Sequence, residues 1–499
     1  MNLRLRSGTP RVIAHLGPTN SGKTHAALAA LVAAGRGAYA SPLRMLAQEV
    51  HTRLALELGP DNAGLVTGEE RINEHAPVIS CTVELAPMST DVLVIDEVHW
   101  TADPERGEAW TRLLLGAECR ELHLVGSEDA LPLIERAFPG FEKRIYTRFG
   151  PLEFTGPVRL AEVAAQTVVV VFSRKAVLAL TRELSLAKVG RRVGALYGAM
   201  PLAERRRQIA RFMSGETDVL VATDVLGHGV NLPCRTILFA ETDKFDGVGR
   251  RTLEPWEVAQ VAGRAGRFGH HDAGEVGTLV GLSWLKPSEV VVRSGIRLPG
   301  APAFRRIASA VFGPSPEDFD GLPVTEWSRA LGSWTREAQA IVPDAVPWLR
   351  IADVSPIRSR LLAIDARLLA QLSPDEAWAF ARAPIDADRQ DNLIGMLARS
   401  VATNARIRMG ERMRQIRVAA LEEAEQLAGE ATVLRWFARR FKGAGGLTAA
   451  AADALEAAAA TRVGQLIDRQ LVKNTFGTCG RCRRASAPWF QLCDSCFGR

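Results

Sequence analysis

Long hydrophobic runs are missing from this chain: no uninterrupted apolar stretch approaches the roughly 20 residues a membrane-spanning helix needs, so a soluble protein with no membrane partner is expected. The stretch ahead of Gly17 opens MNLRLRSGTPR, basic but short. It leaves little room for a signal or transit peptide, and a cytoplasmic location, most simply in a bacterium, is the expectation. Cysteine is scarce over most of the length. Of seven, Cys81, Cys119 and Cys234 are scattered and four crowd the C-terminal end, a pattern that argues against a disulfide framework and for reduced thiols. No repeat recurs at a fixed period, and strand signals essentially stop after Pro287.

What is present is the composition of an ordinary globular protein, 47% hydrophobic and 24% charged. At 499 residues, a soft prior of about 150 residues per domain suggests three domains. A net charge of +6 supports a polyanionic partner without proving one. Apolar runs RVIAHL, GAYAS, APVISCT, DVLVIDE and ELHLVG alternate with helical segments, as buried strands of a parallel α/β sheet do. A second set follows Gly150-Pro151: TVVVVFS, RRVGALYG, TDVLVATD, RTILFAET and VGTLVGL. The remainder reads as helical, with an Ala-rich stretch, GAGGLTAAAADALEAAAAT, open to helix or linker.

The chemistry starts at GPTNSGKT, where Gly17, Pro18, Thr19, Asn20, Ser21, Gly22, Lys23 and Thr24 satisfy the phosphate-loop pattern between a strand and a helix. Gly17 and Gly22 let backbone N–H groups curl around phosphate oxygens. Lys23 is expected on the β/γ-phosphates and the Thr24 hydroxyl on Mg²⁺, with the helix N-terminus aimed at the same anion. DVLVIDEVHW then places Asp96 to hold Mg²⁺ and Glu97 to orient and deprotonate the attacking water. That Asp-Glu-x-His order points to a nucleic-acid-stimulated ATPase, with His99 coupling hydrolysis to the second sheet. In QVAGRAGRFG, Arg264 and Arg267 are three apart, so on a helix they share a face and both reach the γ-phosphate as arginine fingers, beside Gln260. A solvated basic helix end is the alternative. No adenine-reading motif precedes Gly17, which leaves nucleotide selectivity open.

With these motifs in this order the chain resembles a superfamily-two DExH helicase. SPLRMLAQEV, VTGEER, CTVEL, VVVFSRK, ALYGAMP and ATDVLGHGVNLP are similar to segments of the suppressor-of-Var family of mitochondrial degradosome RNA helicases and their bacterial relatives. The likeness is strong over about 12–285, and FARAPIDADRQDNL extends it weakly; the family more usually carries Gln where this chain has His99. It implies two tandem RecA-like parallel-sheet domains, 1–150 and 151–290, followed by an all-helical C-terminal region, 291–475; a small zinc ribbon, 476–499, is expected from the residues alone, outside the likeness. The likeness also implies nucleic-acid contacts at Pro42, Leu43, Arg44, Thr67, Gly68, Glu69 and Thr82 on the first domain and at Ser173, Arg174 and Thr223 on the second, most of them to phosphates. The same likeness implies that Asp224, Gly227 and Gly229 form a hinge touching nucleotide and RNA, and that travel is 3′-to-5′.

At the C-terminal end Cys479, Cys482, Cys493 and Cys496 read C-x₂-C-x₁₀-C-x₂-C, the four-thiolate set that Zn²⁺ favours. Arg481, Arg483, Arg484, Trp489 and Phe490 around them suit a nucleic-acid ribbon or a partner-docking one. A basic run, Arg406, Arg408, Arg412, Arg414 and Arg417, places Arg408 and Arg412 on one helix face, to line an RNA exit or to stand in solvent. The resulting expectation is an ATP-dependent RNA helicase using ATP, Mg²⁺ and Zn²⁺, acting on single-stranded RNA or RNA with a 3′ overhang and linked to RNA turnover through an exoribonuclease. The alternatives are an ATP-switched scaffold without strand separation and a DNA translocase.

Overall fold

The computed structural model describes residues 6–68, 70–187, 191–226, 232, 234–266, 273–296, 302–385, 387–472, 477–478 and 485–486. The first sheet is built from β1 (Arg11–Leu16), β2 (Gly37–Ser41), β3 (Ala63–Val66), β4 (Arg71–Ile72), β5 (Val78–Thr82), β6 (Val92–Ile95), β7 (Glu121–Gly126) and β8 (Glu142–Ile145). They lie in the order β4-β3-β5-β2-β6-β7-β1-β8, parallel except for the β3–β4 pair. Helices cover the faces, so the central strands are buried on both sides and read as continuous apolar runs rather than alternating ones. The glycine-rich loop after β1 and Asp96-Glu97 after β6 both sit at carboxyl ends of strands, where open α/β sheets take ligands.

The second sheet comprises β9 (Leu152–Arg159), β10 (Thr167–Val170), β11 (Val193–Leu196), β12 (Val219–Ala222) and β13 (Thr236–Phe239). After an antiparallel hairpin, β14 (Asp243–Phe245) and β15 (Arg250–Thr252), comes β16 (Gly274–Val280). The order is β11-β12-β10-β13-β16-β9, all parallel. β9 runs along the sheet edge with a register irregularity opposite Val276 and Gly277, and its exposure alternates along its whole length. These are two RecA-like parallel-sheet domains followed by a mainly helical region.

The helical region departs from an all-helical one in a short parallel pair, β17 (Ala310–Phe312) with β18 (Leu349–Ile351). Three residues in each strand are too few to show a period in sequence. The Ala-rich stretch is a helix, Ala449–Val472, entered through a turn in which Gly443, Gly445 and Gly446 all take positive φ. It packs against the helix Leu421–Arg440, and both helices straddle the two cores. Leu421, Ala424, Leu427 and Ala428 join the second sheet's core, whereas Ala431, Leu434, Phe437 and Ala438 join the first sheet's. In the other helix Ala452 and Leu455 belong to the first core, and Ala459, Val463 and Ile467 to the second. The helical region is therefore bound to both sheets rather than appended to one.

The basic run does not form one helical face. Helix Ala387–Thr403 gives way to Asn404 at φ 52°, Arg408 caps the next helix, Met409–Val418, and the Arg412 guanidinium is tied to Glu430 at 3.2 Å. Cys479, Cys482, Cys493 and Cys496 lie outside the described residues, as do Arg481, Arg483, Arg484, Trp489 and Phe490. Among the described residues no cluster of metal-ligating side chains occurs, and none of their helices is long and apolar enough to cross a membrane.

Candidate nucleotide cleft and nucleic-acid groove

The loop from Gly17 to Gly22 leaves β1 and feeds the helix Lys23–Ala34. Asn20 and Gly22 take left-handed φ of 61° and 80°. Its glycines are required by close approach: a Cβ on Gly17 would stand 2.5 Å from the Tyr146 carbonyl oxygen, and one on Gly22 would stand 2.7 Å from the Phe149 ring. The helix has no side-chain N-cap and no acid in its first turn, which leaves its positive end facing the loop uncompensated by its own side chains. The Lys23 ammonium folds back onto the Pro18 carbonyl at 3.0 Å, which also accepts the Ser21 hydroxyl at 2.8 Å. Thr24 follows in the first helical turn.

Asp96 is 3% exposed and fixed from several sides. One carboxylate oxygen accepts the Tyr39 hydroxyl, the other the Glu97 N–H at 2.9 Å, and the Trp110 indole N–H donates to the Asp96 carbonyl at 2.9 Å. Burial, then the neighbouring Glu97 carboxylate, raise its pKa against the pull of Tyr39 and the Lys23 ammonium. A divalent cation there would remove that penalty, and the hard-oxygen donors of Asp96 and Thr24 suit Mg²⁺. Glu97 takes φ 50°, a backbone conformation unusual for a non-glycine residue. One Glu97 carboxylate oxygen is 3.3 Å from His99 Nδ1, close but not aligned as a hydrogen bond.

His99 faces the other domain as well. Its Nε2 lies 3.3 Å from Gln260 Nε2, in the helix Pro255–Ala262. With the amide donating to Nε2, the ring proton sits on Nδ1 toward Glu97. Burial lowers the imidazole's pKa, and Glu97 offsets only part of that, so the ring is neutral at pH 7.

The phosphate loop touches the second domain directly. Asn20 Nδ2 donates to the Gly266 carbonyl at 2.9 Å, and a Cβ on Gly263 would stand 2.9 Å from the Thr19 Cβ. Arg148, in the connection between the sheets, donates to the Thr19 carbonyl at 3.0 Å, to that of Gly263 at 2.8 Å, and to that of Ala265. Burial draws its guanidinium down to about 10, still a cation at neutral pH. No motif marks Arg148; only its place between the two sets of strands gives a signal. The arginine-finger geometry differs from a shared helix face, because the helix ends at Ala262 and Arg264 stands half-buried in the turn beyond Gly263. Arg267, Gly227 and Gly229 lie outside the described residues, as does Glu69.

On another face a groove of about 1820 Å³ runs between both sheets and the helical region. Pro42, Leu43, Arg44, Gly68 and Thr82 line it from the first domain and Arg174 from the second. The Pro42 carbonyl is held by Arg106 Nη2 at 2.7 Å, and that guanidinium also lies 5.3 Å from the Trp100 ring and 5.5 Å from the Trp110 ring. Arg174 pairs at 2.8 Å with Glu425 of the helix Leu421–Arg440, and Glu425 also accepts the Tyr197 hydroxyl at 2.5 Å. Sequence reasoning missed Arg106, Tyr197 and Glu425. The remaining hydroxyls are spent locally: Thr67 accepts the Glu70 N–H at 2.9 Å, Ser173 caps its helix by accepting the Ala176 N–H at 3.0 Å, and Thr223 is buried and does not line the groove. Asp224 lies instead beside Lys244, 3.8 Å away.

Compared with known families, residues 3–146 match the DEXQ-box helicase domain of Suv3, and residues 158–269 match the helicase conserved C-terminal domain. "ATP-dependent RNA helicase SUV3, mitochondrial" of Candida albicans is 36% identical over 286 residues, 54% of this chain and 39% of that protein. The protein of the same name from Oryza sativa subsp. japonica is 37% identical over 308 residues, 57% of this chain and 52% of its own. "DExH-box ATP-dependent RNA helicase DExH18, mitochondrial" of Arabidopsis thaliana is 39% identical over 277 residues, 52% of this chain and 34% of its own. The chain thus spans between 34% and 52% of these relatives. Their mitochondrial names overturn the expectation of a cytoplasmic location, which rested only on the short stretch ahead of Gly17.

Proposed function

The chain carries a Suv3-like DEXQ-box helicase domain followed by a helicase conserved C-terminal domain, and on that premise we propose that it is an ATP-dependent RNA helicase. One observation carries the reading. The phosphate loop is bonded to Gly266 of the other domain, while Pro42, Arg44, Gly68 and Thr82 of the first domain and Arg174 of the second line a single groove. Binding and releasing ATP at the first place changes the spacing of the grips at the second.

In the cleft, backbone N–H groups of 17–24 hold the triphosphate, and Lys23 exchanges its Pro18 carbonyl for phosphate oxygens. Thr24 and Asp96 would hold Mg²⁺, which neutralises phosphate charge. Glu97 orients and deprotonates water; Arg264 and Arg267 approach the γ-phosphate from the second domain, an arrangement worth on the order of 10³ to 10⁵ in rate. Gln260 and Gly229 border the nucleotide. In the groove, Pro42, Arg44, Gly68, Thr82 and Arg174 hold the RNA backbone; Thr67, Ser173 and Thr223 shape the turns beneath it. Travel is 3′-to-5′, unwinding structured RNA or RNA/DNA duplexes, and the unwound strand feeds an exoribonuclease in RNA turnover.

Four thiolates at Cys479, Cys482, Cys493 and Cys496 suit tetrahedral Zn²⁺. Pairing of Gly477 with Ser486 and of Thr478 with Ala485 supports this, since those strands bracket Cys479 and Cys482 in sequence. Boundaries near residues 150, 290 and 475 divide the two sheets, the helical region and the ribbon.

Steady-state ATP hydrolysis with single-stranded RNA and single-stranded DNA in parallel, followed by strand displacement on duplexes with 3′ overhangs, tests the reading. RNA-stimulated turnover with displacement is expected. Turnover without displacement would replace the helicase with an ATP-switched scaffold, and equal stimulation by DNA would make it a general translocase.

A further inference from the structure

The described segment 302–307, ahead of the helical region, meets the first domain and the helix that carries Gln260. Arg305, in that segment, contacts both domains at once. Its backbone N–H donates to Asp129 Oδ1 at 3.2 Å and its Nε to Oδ2 at 3.4 Å, while the Ile307 N–H donates to the Asp129 carbonyl at 2.9 Å. Asp129 is 4% exposed and follows β7 of the first sheet. On the opposite side the guanidinium carbon lies 3.7 Å from the centroid of the Trp256 ring. Trp256 is on the helix Pro255–Ala262, four residues before Gln260 and so on the same face one turn away. Gln260 in turn meets His99, the partner of Glu97.

We propose that Arg305 is a positioning residue for ATP turnover: clamped between Asp129 and Trp256, it sets the helix Pro255–Ala262 so that Gln260 stays against His99. This rests on the cleft being an ATPase site. A carboxylate met by the in-plane Nε–H and an indole stacked against the face suit a planar guanidinium, which can engage both at once. The segment thereby makes hydrolysis sensitive to how the helical region is seated, since Ile307 is buried in the core that the region shares with the first sheet.

The test is RNA-stimulated ATP hydrolysis by the full chain carrying Arg305→Ala, Arg305→Lys, Trp256→Leu, Trp256→Phe or the Arg305→Ala/Trp256→Leu pair. A misplaced Gln260 predicts a fall in kcat of about tenfold for Arg305→Ala with the KM for ATP within about twofold of the parent. Arg305→Lys and Trp256→Phe regain most of the loss, and the double variant is no slower than the worse single one, because both remove one contact. Unchanged kcat in a folded Arg305→Ala protein, or multiplying losses in the double variant, overturns the proposal. A lowered melting temperature with kcat and KM intact also overturns it, by making the contact merely structural. Should Arg305→Ala fail to fold, the Trp256→Leu and Trp256→Phe pair gives the same reading on kcat. If the parent protein shows no ATP hydrolysis at all, the ATPase reading falls and takes this inference with it.

Discussion

His99 Nε2 meets Gln260 Nε2 at 3.3 Å, so the residue two places after the candidate general base Glu97 touches the helix of the opposite domain. Removing either side chain should slow hydrolysis by acting on the same joint. We expect His99→Ala and Gln260→Ala to be non-additive in kcat, with a coupling of about 0.5–3 kcal/mol in a double-mutant cycle. Strictly additive losses would separate the two residues functionally.

Lys23→Ala should abolish nucleotide binding or turnover, because the ammonium that now rests on the Pro18 carbonyl is the loop's only side-chain cation. Glu97→Gln keeps the shape and removes the base. It should bind ATP normally and turn over at least about 10² more slowly, leaving ATP-bound protein on RNA. Near-parental turnover in either would remove the assigned role.

The groove makes a prediction that can be read from salt. Arg174→Ala should weaken RNA binding across sequences alike and reduce the salt slope by roughly 0.7 to 1, the signature of one lost phosphate contact. Glu425→Ala breaks a pair in which the carboxylate is 6% exposed, and leaves the Tyr197 hydroxyl without its acceptor. It should destabilise the fold by about 1–2 kcal/mol, chiefly through the Tyr197 hydroxyl, measured by chemical denaturation. An unchanged denaturation midpoint would show that Arg174 and Tyr197 find other partners.

Glu257 makes one contribution to the acid dependence of stability. Burial pushes the carboxyl up, but Arg251 and Lys244 more than offset this and hold it at about 2, below its ordinary 4.5. A carboxylate depressed in the folded state contributes stability that is present above the unfolded pKa and is lost as pH falls. The window here runs from about 4.5 down to about 2. Glu257→Gln should be less stable at pH 7 and lose stability less steeply across that window, as followed by denaturant midpoints at several pH values. A slope equal to the parent's would assign the acid sensitivity elsewhere.

Much of this was legible in sequence. Strands buried on both faces announce themselves as apolar runs, so RVIAHL and GAYAS coincide with β1 and β2. The phosphate loop and Asp96-Glu97 lie where a strand gives way to a loop, because glycines and adjacent acids leave few alternatives there. β9 was hidden because it is a half-exposed edge strand holding Gly156 and Pro157, residues that ordinarily mark a turn. The spacing of Arg264 and Arg267 suggested a helix, but Gly263 is where the helix stops. Arg148 and Arg305 belong to no motif, since their partners are backbone carbonyls, a carboxylate and an indole far away in the chain. Nor could helical periodicity say that a single apolar face serves two cores.

That shared face limits how the molecule can move. The helix Leu421–Arg440, about 30 Å long at 1.5 Å per residue, gives its first half to one sheet and its second half to the other, and its antiparallel neighbour does the same in reverse. A door-like swing would tear one half of each helix off its sheet. Sliding is opposed as well, because Leu421, Leu427, Leu434 and Phe437 alternate with the alanines at 424, 428, 431 and 438 and interlock with both cores. The two helices thus tie the sheets together at two places along their length, so a wide gape between the sheets is opposed by both cores at once.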